Sequence, residues 1–384
     1  MAFEDPYVHL APAFEISIEG FKLGKDLTEL VQSVEYESAD GVADESRVTI
    51  SNIDYKLCNT SLWQPGNQLD IWFGYGTTLN FVGRTIIARP QPKFTRDSMP
   101  TLELHGYTKD FIMMSNKPES AGGNTRNFQV DLITDAVEQV ASRKAYKFDK
   151  LDIDKMEVSK YAGVQKADMS DYHFVKGLAN TLGWLFWVDY TLEDKWTLHF
   201  KNPNGLRVQK FKYTFEHSNG DKSTLLDFEP ELSLTGAVTR LQVQSRDPVT
   251  DKLYVEEFDD LENTPDGRYK GNPKDEIDET YSTAGAVIKY VFGDHAIEVV
   301  SDKRFASAAD MKIWAEQWWR RKRENFIVGR GTLVGVDDLR ARQTHTLKLP
   351  EKSISGDYYF SRAQHTFSND NGYLVDFSAR KVVT

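Results

Sequence analysis

The sequence predicts a β-rich protein of the α+β class, in which segments that mix helices and strands interrupt two strand-rich regions. Aromatic residues make up 12% of the chain, including 17 Tyr and 22 Phe, and aromatic side chains favour the pleated surface of a sheet. Between Phe14 and Leu23, apolar residues alternate with polar ones, which is the period of a strand with one buried face. Over 130–140 and 170–182 the apolar spacing becomes that of amphipathic helices.

The first strand-rich region continues with short apolar runs. They lie at 31–36, 47–50, 69–73, 82–87 and 101–105. Turn sequences such as Asp40-Gly41 and Pro65-Gly66 separate them. Short strands at this spacing indicate a small barrel or a sandwich.

A mixed α+β module is predicted for residues 116–205, and it opens with a glycine-rich linker at 120–125. Its second helix takes Ser170 or Asp171 as the N-cap and ends at Gly183, because a glycine there accepts the left-handed conformation that terminates helices. Buried strands are expected directly after this helix.

A second strand-rich region begins near Arg207, and two such regions in one chain suggest an old duplication. The acidic run at 255–262 and the Pro-, Gly- and Asp-rich run at 264–276 predict an exposed insertion with solvated loops. A helix follows from Ser307, and the chain closes with strands that include a hairpin at 369–372. Between helix and strands, the glycine-rich segment 329–331 is predicted to form a turn.

The charge balance argues against a protein that reads DNA sequence. The formal net charge is −11 and the pI about 5.3, so the surface repels phosphate groups. The single cysteine, Cys58, excludes a disulfide framework and a multi-cysteine zinc site. No apolar run is long enough to cross a bilayer, and the first ten residues lack a signal-peptide pattern. We therefore expect synthesis in the cytoplasm and no membrane insertion.

No catalytic, cofactor-binding or metal-ligating constellation is predicted, so we expect a protein that is not an enzyme. The motifs of zinc proteases, serine hydrolases, phosphate loops and dinucleotide sites do not occur. His345 and His365 lie in neighbouring predicted strands without a third ligand, which favours strand packing over metal binding. The acidic pairs at 256–257 and 259–260 lie in the exposed insertion, which favours solvation over catalysis or cation binding.

Three tryptophans on the last helix are the candidate subunit-interface residues. They are Trp314, Trp318 and Trp319. Core packing is the simpler interpretation. However, adjacent tryptophans point to more than one side of a helix, and Trp and Arg are enriched at binding hot spots.

Three longer stretches carry a family pattern through their order and spacing. The first runs from Gly106-Tyr-Thr-Lys-Asp-Phe111 to Val140, and the second from Ser170-Asp-Tyr-His-Phe174 to Trp187. The third covers 346–381 and includes Gly356-Asp-Tyr-Tyr-Phe and the segment 372–377. Together they resemble the late-control protein D family and the wider group of phage tail baseplate hub proteins.

The resemblance implies two tube-like β-barrel domains with α+β insertion domains. The first barrel would take 1–115, the α+β insertion module 116–205, the second barrel 206–246 with 325–384, and an insertion with an acidic loop and the Trp-rich helix 247–324. The resemblance implies a homotrimer whose six barrels form a pseudo-sixfold ring. This ring would adapt a hexameric tail tube to a trimeric spike and enclose the DNA channel, as a virion structural protein acting in genome ejection.

The partners implied by the same resemblance are the tail spike protein, the tail tube or distal tail protein, and the tape measure protein. DNA would pass through the lumen without specific binding, and no cofactor is implied. The location would be the tail baseplate of the virion.

Two other functions fit parts of the sequence. A tail-associated protein that binds or degrades carbohydrate would also be aromatic-rich, and it would need an exposed Trp beside two carboxylates of unequal pKa. The hub-like front half of a type VI secretion spike is the other alternative, but that family continues into a long spike.

Overall fold

The computed structural model describes residues 11–53, 57, 60–94, 96, 99–118, 125–155, 161–191, 195–203, 209–214, 224–235, 237–246, 251–259, 296–301, 305, 308–351 and 354–382. Strands predominate over helices, as the sequence predicts. The strands are β1 (Pro12–Ile18), β2 (Phe21–Lys22), β3 (Val31–Ala39), β4 (Glu45–Ser51), β5 (Gln68–Tyr75), β6 (Thr78–Lys93), β7 (Thr101–Tyr107), β8 (Thr125–Val130), β9 (Lys150–Ile153), β10 (Tyr161–Lys166), β11 (Leu185–Thr191), β12 (Lys195–Lys201), β13 (Gln209–Thr214), β14 (Leu225–Leu232), β15 (Arg240–Arg246), β16 (Leu253–Asp259), β17 (Ile297–Val300), β18 (Ile327–Val334), β19 (Gln343–Lys348), β20 (Gly356–Ser368) and β21 (Gly372–Lys381).

Five α-helices and one short 3-10 helix accompany these strands within the described ranges. The α-helices are α1 (Lys25–Thr28), α2 (Asp110–Ser115), α3 (Ile133–Ala141), α4 (Asp171–Leu182) and α5 (Ala308–Glu324), and the 3-10 helix is Ser61–Trp63.

One continuous sheet of 13 strands forms the body of the protein. Its order is β14-β18-β21-β20-β3-β4-β7-β6-β5-β1-β2, with β19 beside β20 and β13 beside β19. The antiparallel pairing of β20 with β3 joins the two strand-rich regions. In this order the described strands do not close into a ring.

The two strand-rich regions also share one apolar core. Ile71 and Phe73 of the first region belong to the same buried cluster as Tyr373 and Phe377 of the second. The rings of Phe73 and Tyr373 stack with their centroids 4.9 Å apart. Apolar burial is the main favourable term in folding, so the two regions stabilise each other.

The same four-strand order occurs twice in the large sheet. The two units are β3-β4-β7-β6 and β14-β18-β21-β20 in sheet order. If the four strands of each unit are numbered along the chain, both units have the sheet order 1-2-4-3. Bulges fall at matching positions in the two units, between Val31 and Ser33 and between Leu225 and Asp227. These matches indicate an internal repeat of the fold.

A sequence motif accompanies this repeat. The third strand of each unit carries Gly, Arg, Gln and Phe at the same spacing, over Gly83–Phe94 and Gly356–Phe367. The second bulge of each unit falls directly before the shared arginine, Arg89 or Arg362. The duplication suggested by the sequence therefore has an alignment in the structure.

The α+β module packs its own core of helices α2, α3 and α4 against β8, β9, β11 and β12. The predicted limits of α4 are confirmed. The Ser170 side chain accepts a hydrogen bond from the His173 backbone N–H at 3.3 Å, and Gly183 after the last turn has φ 69°. The linker predicted at 120–125 lies outside the described residues except for Thr125, which begins β8.

A third unit consists of β15, β16, β17 and α5, with its own small apolar cluster. The prediction of a solvated loop around Glu256 and Glu257 is wrong, because both lie in β16, which pairs along its length with β15. The part of the predicted insertion from 260 to 295, Asp260 included, lies outside the described residues.

The turn predicted at 329–331 is also wrong, because these residues form the middle of β18. A Cβ added at Gly329 would lie 2.5 Å from the Phe228 ring, and one added at Gly331 would lie 2.8 Å from the Phe377 ring. The glycines therefore allow close packing of aromatic rings against a strand rather than a change of direction.

Candidate functional site

The outward side of the large sheet carries a continuous set of paired charges. We call this surface the charged face. It consists of the outward side chains Glu35, Glu37, Glu45, Arg47, Lys93, Glu103, Arg362 and Gln364, with the buried His105 beside Glu103. Strand alternation places them on one side because their neighbours in sequence, such as Val34, Val48 and Ala363, are buried in the core.

Ion pairs link these side chains across the strands. Arg362 donates to both oxygens of Glu37, at 2.8 and 2.7 Å, and Gln364 donates to Glu35 at 3.2 Å. A nitrogen of Arg47 lies 3.6 Å from the Glu35 carboxylate. Since bidentate arginine–carboxylate pairs are the stronger kind, the Arg362–Glu37 pair reinforces the join between β20 and β3.

The other end of the charged face is centred on Glu103. Its carboxylate accepts a hydrogen bond from Lys93 and lies 3.5 Å from Nε2 of His105. Burial alone would raise the pKa of Glu103, but the Lys93 hydrogen bond and the nearby cations lower it. Burial and the charges of Arg89 and Arg47 lower the pKa of His105. The Glu103 carboxylate is thus kept ionised by the neighbouring Lys93.

A buried polar joint connects the large sheet with the α+β module. Arg342 is 6% exposed and donates to Asp44 at 2.9 Å, and its guanidinium lies over the ring of Trp187 at 5.1 Å. Its φ is 69°, a left-handed conformation that is uncommon for residues with a side chain. Burial would lower the pKa of Arg342, but the Asp44 and Asp40 carboxylates raise it above its ordinary value.

The joint continues into the module through His199. Its ring stacks on Trp187 with the centroids 4.4 Å apart. Nδ1 lies 3.0 Å from Asp152 and Nε2 lies 3.0 Å from Asp189. Both ring nitrogens of His199 therefore face carboxylates of the module, one on β9 and one on β11.

A second buried carboxylate organises the interior of the module. Asp171 has no exposed side-chain surface and accepts hydrogen bonds from Arg143, Tyr146 and Gln165. Arg126 lies 3.7 Å away. Asp171 belongs to the Ser-Asp-Tyr-His stretch that carries the family resemblance, so the structure assigns packing rather than chemistry to this stretch.

The two histidines considered as metal ligands lie apart and serve the core. His345 pairs across the strands with Tyr358 near the start of β20, whereas His365 lies near the end of that strand. His365 is bonded to Tyr373 and to the Leu339 carbonyl, each at 2.7 Å. Burial and the Arg340 charge hold its pKa well below the usual range.

Metal and membrane sites are not found in the part of the chain that the structure describes. No group of three or more His, Cys, Asp or Glu side chains there suits a metal ion. No helix within the described ranges is both long and apolar enough to cross a membrane. Cys58 lies outside those ranges.

The three candidate interface tryptophans lie on α5. Trp314 and Trp319 are buried in the cluster of the third unit, and Trp318 is half-buried against it. Lys322 lies over the Trp318 ring at 4.7 Å. Of the three, Trp318 keeps the largest accessible surface.

Sequence reasoning did not single out Arg362, Glu37, Arg342 or His199. The strand period places Glu35 and Glu37 on the wet side of β3, but their partners come from the far end of the chain. The shared spacing of Arg89–Gln91 and Arg362–Gln364 is the signal that would have drawn attention to Arg362.

The chain is similar in structure to known proteins, with sequence identities of 9–11% to the three described below. No family model matches the chain, and no curated protein matches it. A tail protein from Neisseria meningitidis MC58 is similar over 97% of both chains, with a TM-score of 0.66 and 11% identity. The 43 kDa tail protein of prophage MuSo2 from Shewanella oneidensis covers 97% of this chain and 98% of its own, with a TM-score of 0.63 and 9% identity.

This chain has the fold of phage tail proteins. A type VI secretion component of E. coli, c3393, described as similar to the T4 tail proteins gp27 and gp5, also matches. It covers 96% of this chain and 77% of its own, with a TM-score of 0.59 and 10% identity. The predicted resemblance to baseplate hub proteins is thereby confirmed at the level of the fold.

Proposed function

We propose that this chain is a structural, non-enzymatic hub of a phage tail baseplate or a related injection machine, and that it acts as a homotrimer. The repeated four-strand unit carries this proposal. Each repeat, with its flanking strands, forms one tube-like half of the chain. Three copies then present six similar halves, which suits a sixfold tube on one side and a threefold spike on the other.

The fold similarity supports a tail-associated role, because the matching structures are tail proteins and a secretion component likened to tail proteins. The proposed partners are the tail spike protein, the tail tube or distal tail protein, and the tape measure protein. The proposed location is the virion tail. Trp318 is the residue of α5 that we assign to contact with a neighbouring subunit.

The charged face suits the wall of a DNA channel. Its cations are held by carboxylates, as Arg362 is by Glu37 and Lys93 is by Glu103. Paired cations offer little to phosphate groups, and the net charge of −11 repels them. A duplex would slide along such a wall without being held.

The carbohydrate-binding alternative receives less support. The expected sugar site needs an exposed Trp beside two carboxylates, but none of the eight tryptophans is exposed. Six are buried, and Trp72 and Trp318 are half-buried. Only Trp72 and Trp318 of the eight therefore keep appreciable accessible surface, and Phe81 and Lys322 of the same chain lie against their rings.

The deciding experiment is the mass of the protein by light scattering after size exclusion, alone and mixed with the spike and tail tube proteins. We expect a species with three copies of this chain, at least in the presence of the spike. A chain that stays monomeric with every partner would overturn the proposal and make a glycan-binding assay the next measurement.

A further inference from the structure

Each four-strand unit ends in a strand with a free edge. Among the described strands, β14 pairs only with β18, and β6 from Arg89 to Lys93 pairs only with β7. In the repeat, β14 corresponds to β3, and this part of β6 corresponds to the end of β20. Since β3 and β20 pair with each other inside the chain, the chain contains one complete join and the two halves of a second.

We propose that these halves meet between copies, so that β14 of one copy pairs antiparallel with residues 89–94 of the next. The inference rests on the proposed trimer and adds the surface that closes it. The join between copies would repeat the join inside the chain. Three chains would then form one continuous sheet around the ring, with a head-to-tail interface that closes on itself.

The matching bulges fix the register. They align Glu35 with Glu229 and Glu37 with Glu231, while Arg362 aligns with Arg89. Transfer of the β20–β3 pairing then places Gln91 opposite Glu231 and Lys93 opposite Glu229. Arg89 would reach Glu231 as Arg362 reaches Glu37.

The side chains at both edges fit this contact. Arg89 and Glu231 are exposed and opposite in charge, so one can satisfy the other. Phe94, directly after β6, is 61% exposed and Leu232 of β14 is 52% exposed. In the join inside the chain, the residue equivalent to Phe94 is Phe367, which packs on Phe14 with ring centroids 4.7 Å apart. Pairing between copies would cover both exposed apolar side chains.

Prolines in both edges reduce the number of backbone hydrogen bonds that this join can form, so side-chain contacts matter more. Pro90 and Pro92 lie in the free part of β6, and Pro230 lies in β14. A proline gives no backbone N–H, so each of the three removes one possible hydrogen bond from the ladder between copies. The ladder would be sparse, so the Arg89–Glu231 pair would carry much of the affinity, in the register that the bulges define.

A charge exchange tests this pair in the full chain. Arg89→Glu and Glu231→Arg should each weaken trimer formation on the order of tenfold, measured by light scattering across a concentration series. The double variant should regain most of the lost association. Glu138→Arg, at an exposed site on α3, is the control and should leave association unchanged. Trimers that form equally well in both single variants would overturn the join.

Cysteine pairing tests the register and separates the join from the trimer. The Lys93→Cys, Glu229→Cys double variant should form covalent trimers on oxidation, while each single variant should not. A wild-type trimer without these cross-links would overturn the join and leave the proposed function standing. Cross-linked chains longer than three would support the join but overturn the closed trimer. A chain that stays monomeric with its partners and forms no cross-links would overturn both.

Discussion

The Arg362 guanidinium of β20 donates to both oxygens of the Glu37 carboxylate of β3, at 2.8 and 2.7 Å. The two residues are separated by 325 positions in the chain. Hydrogen bonding to Glu37 raises the pKa of Arg362, and burial opposes this effect. The pair therefore holds the first strand-rich region against the last strands of the chain.

Breaking this pair should lower the free energy of unfolding modestly. Glu37 and Arg362 are partly exposed, at 23% and 37% of their side-chain surfaces, so solvent screens the interaction. We expect Glu37→Gln to cost about 1 kcal/mol in urea unfolding, and a cycle with Arg362→Gln to show coupling. The control is Glu29→Gln, whose partner Lys25 is 88% exposed, and it should have no measurable effect. If Glu37→Gln and Glu29→Gln lowered the free energy of unfolding equally, the special role of the bidentate pair would be contradicted.

Asp110 should make the protein less stable as the pH rises from about 4 to 7. The residue is 1% exposed, and its Oδ2 has no hydrogen-bond partner among the described residues. Burial raises its pKa to about 7, against the lowering effect of the Thr108 hydrogen bond. The unfolded chain loses this proton near pH 4 and the folded chain only near pH 7, so folding is penalised progressively across that window.

Asp110→Asn removes the titrating group and keeps an oxygen for Thr108. At pH 8 the variant should be more stable than the wild type by roughly 1–4 kcal/mol, and the difference should shrink toward pH 4. Urea unfolding at several pH values measures both. A difference that stays constant over the whole range would show that Asp110 does not titrate in this window.

Asp171 should be the most sensitive carboxylate of the α+β module. Its removal leaves Arg143, Tyr146 and Gln165 without their shared acceptor. We expect Asp171→Ala to cost about 3–5 kcal/mol and to expose the module to proteolysis. Asp135→Ala is the matched control, because Asp135 accepts only the Leu132 backbone N–H at the start of α3, and it should cost about 1 kcal/mol. Similar losses in both variants would contradict the central role of Asp171.

Two glycine-to-alanine substitutions should change the free energy of unfolding in opposite directions. A Cβ added at Gly177 in α4 meets nothing within 4 Å, so Gly177→Ala should raise the free energy of unfolding by up to about 1 kcal/mol through helix propensity. At Gly83 the added Cβ would overlap the Tyr36 ring, so Gly83→Ala should be destabilising by about 1–3 kcal/mol. Thermal unfolding of the two variants measures both effects, and a stable Gly83→Ala protein would mean that Tyr36 can move.

Local signals explain which elements could be predicted from the sequence. Helix α4 is predictable because Ser170 and Gly183 mark its limits within the segment itself. Strand β18 is not, because Gly329 and Gly331 look like a turn until Phe228 and Phe377 are packed against them. Strand β6 extends beyond the run predicted at 82–87 for a similar reason, since it pairs with β5 along its first half and with β7 along its second.

The charged face was only half predictable. The strand period assigns Glu35 and Glu37 to the wet side of the sheet, but which cation faces them depends on register between strands that are distant in sequence. The repeated spacing of Arg, Gln and Phe over 89–94 and 362–367 relates the two units to each other, but it does not contain the register of β20 against β3.

Because β3 pairs with β20, one edge of β3 stays unpaired until most of the chain has been synthesised. Strands β4 to β7 follow β3 closely, so the first unit can pair its strands as it emerges. The outer edge of β3 has to wait for β20, and at roughly 5–20 residues per second this takes on the order of a quarter of a minute to a minute. During that interval β3 is an edge strand of the nascent chain, although it is an interior strand of the folded protein. Glu35 and Glu37 on that edge carry like charges that disfavour pairing with the same edge of a neighbouring nascent chain.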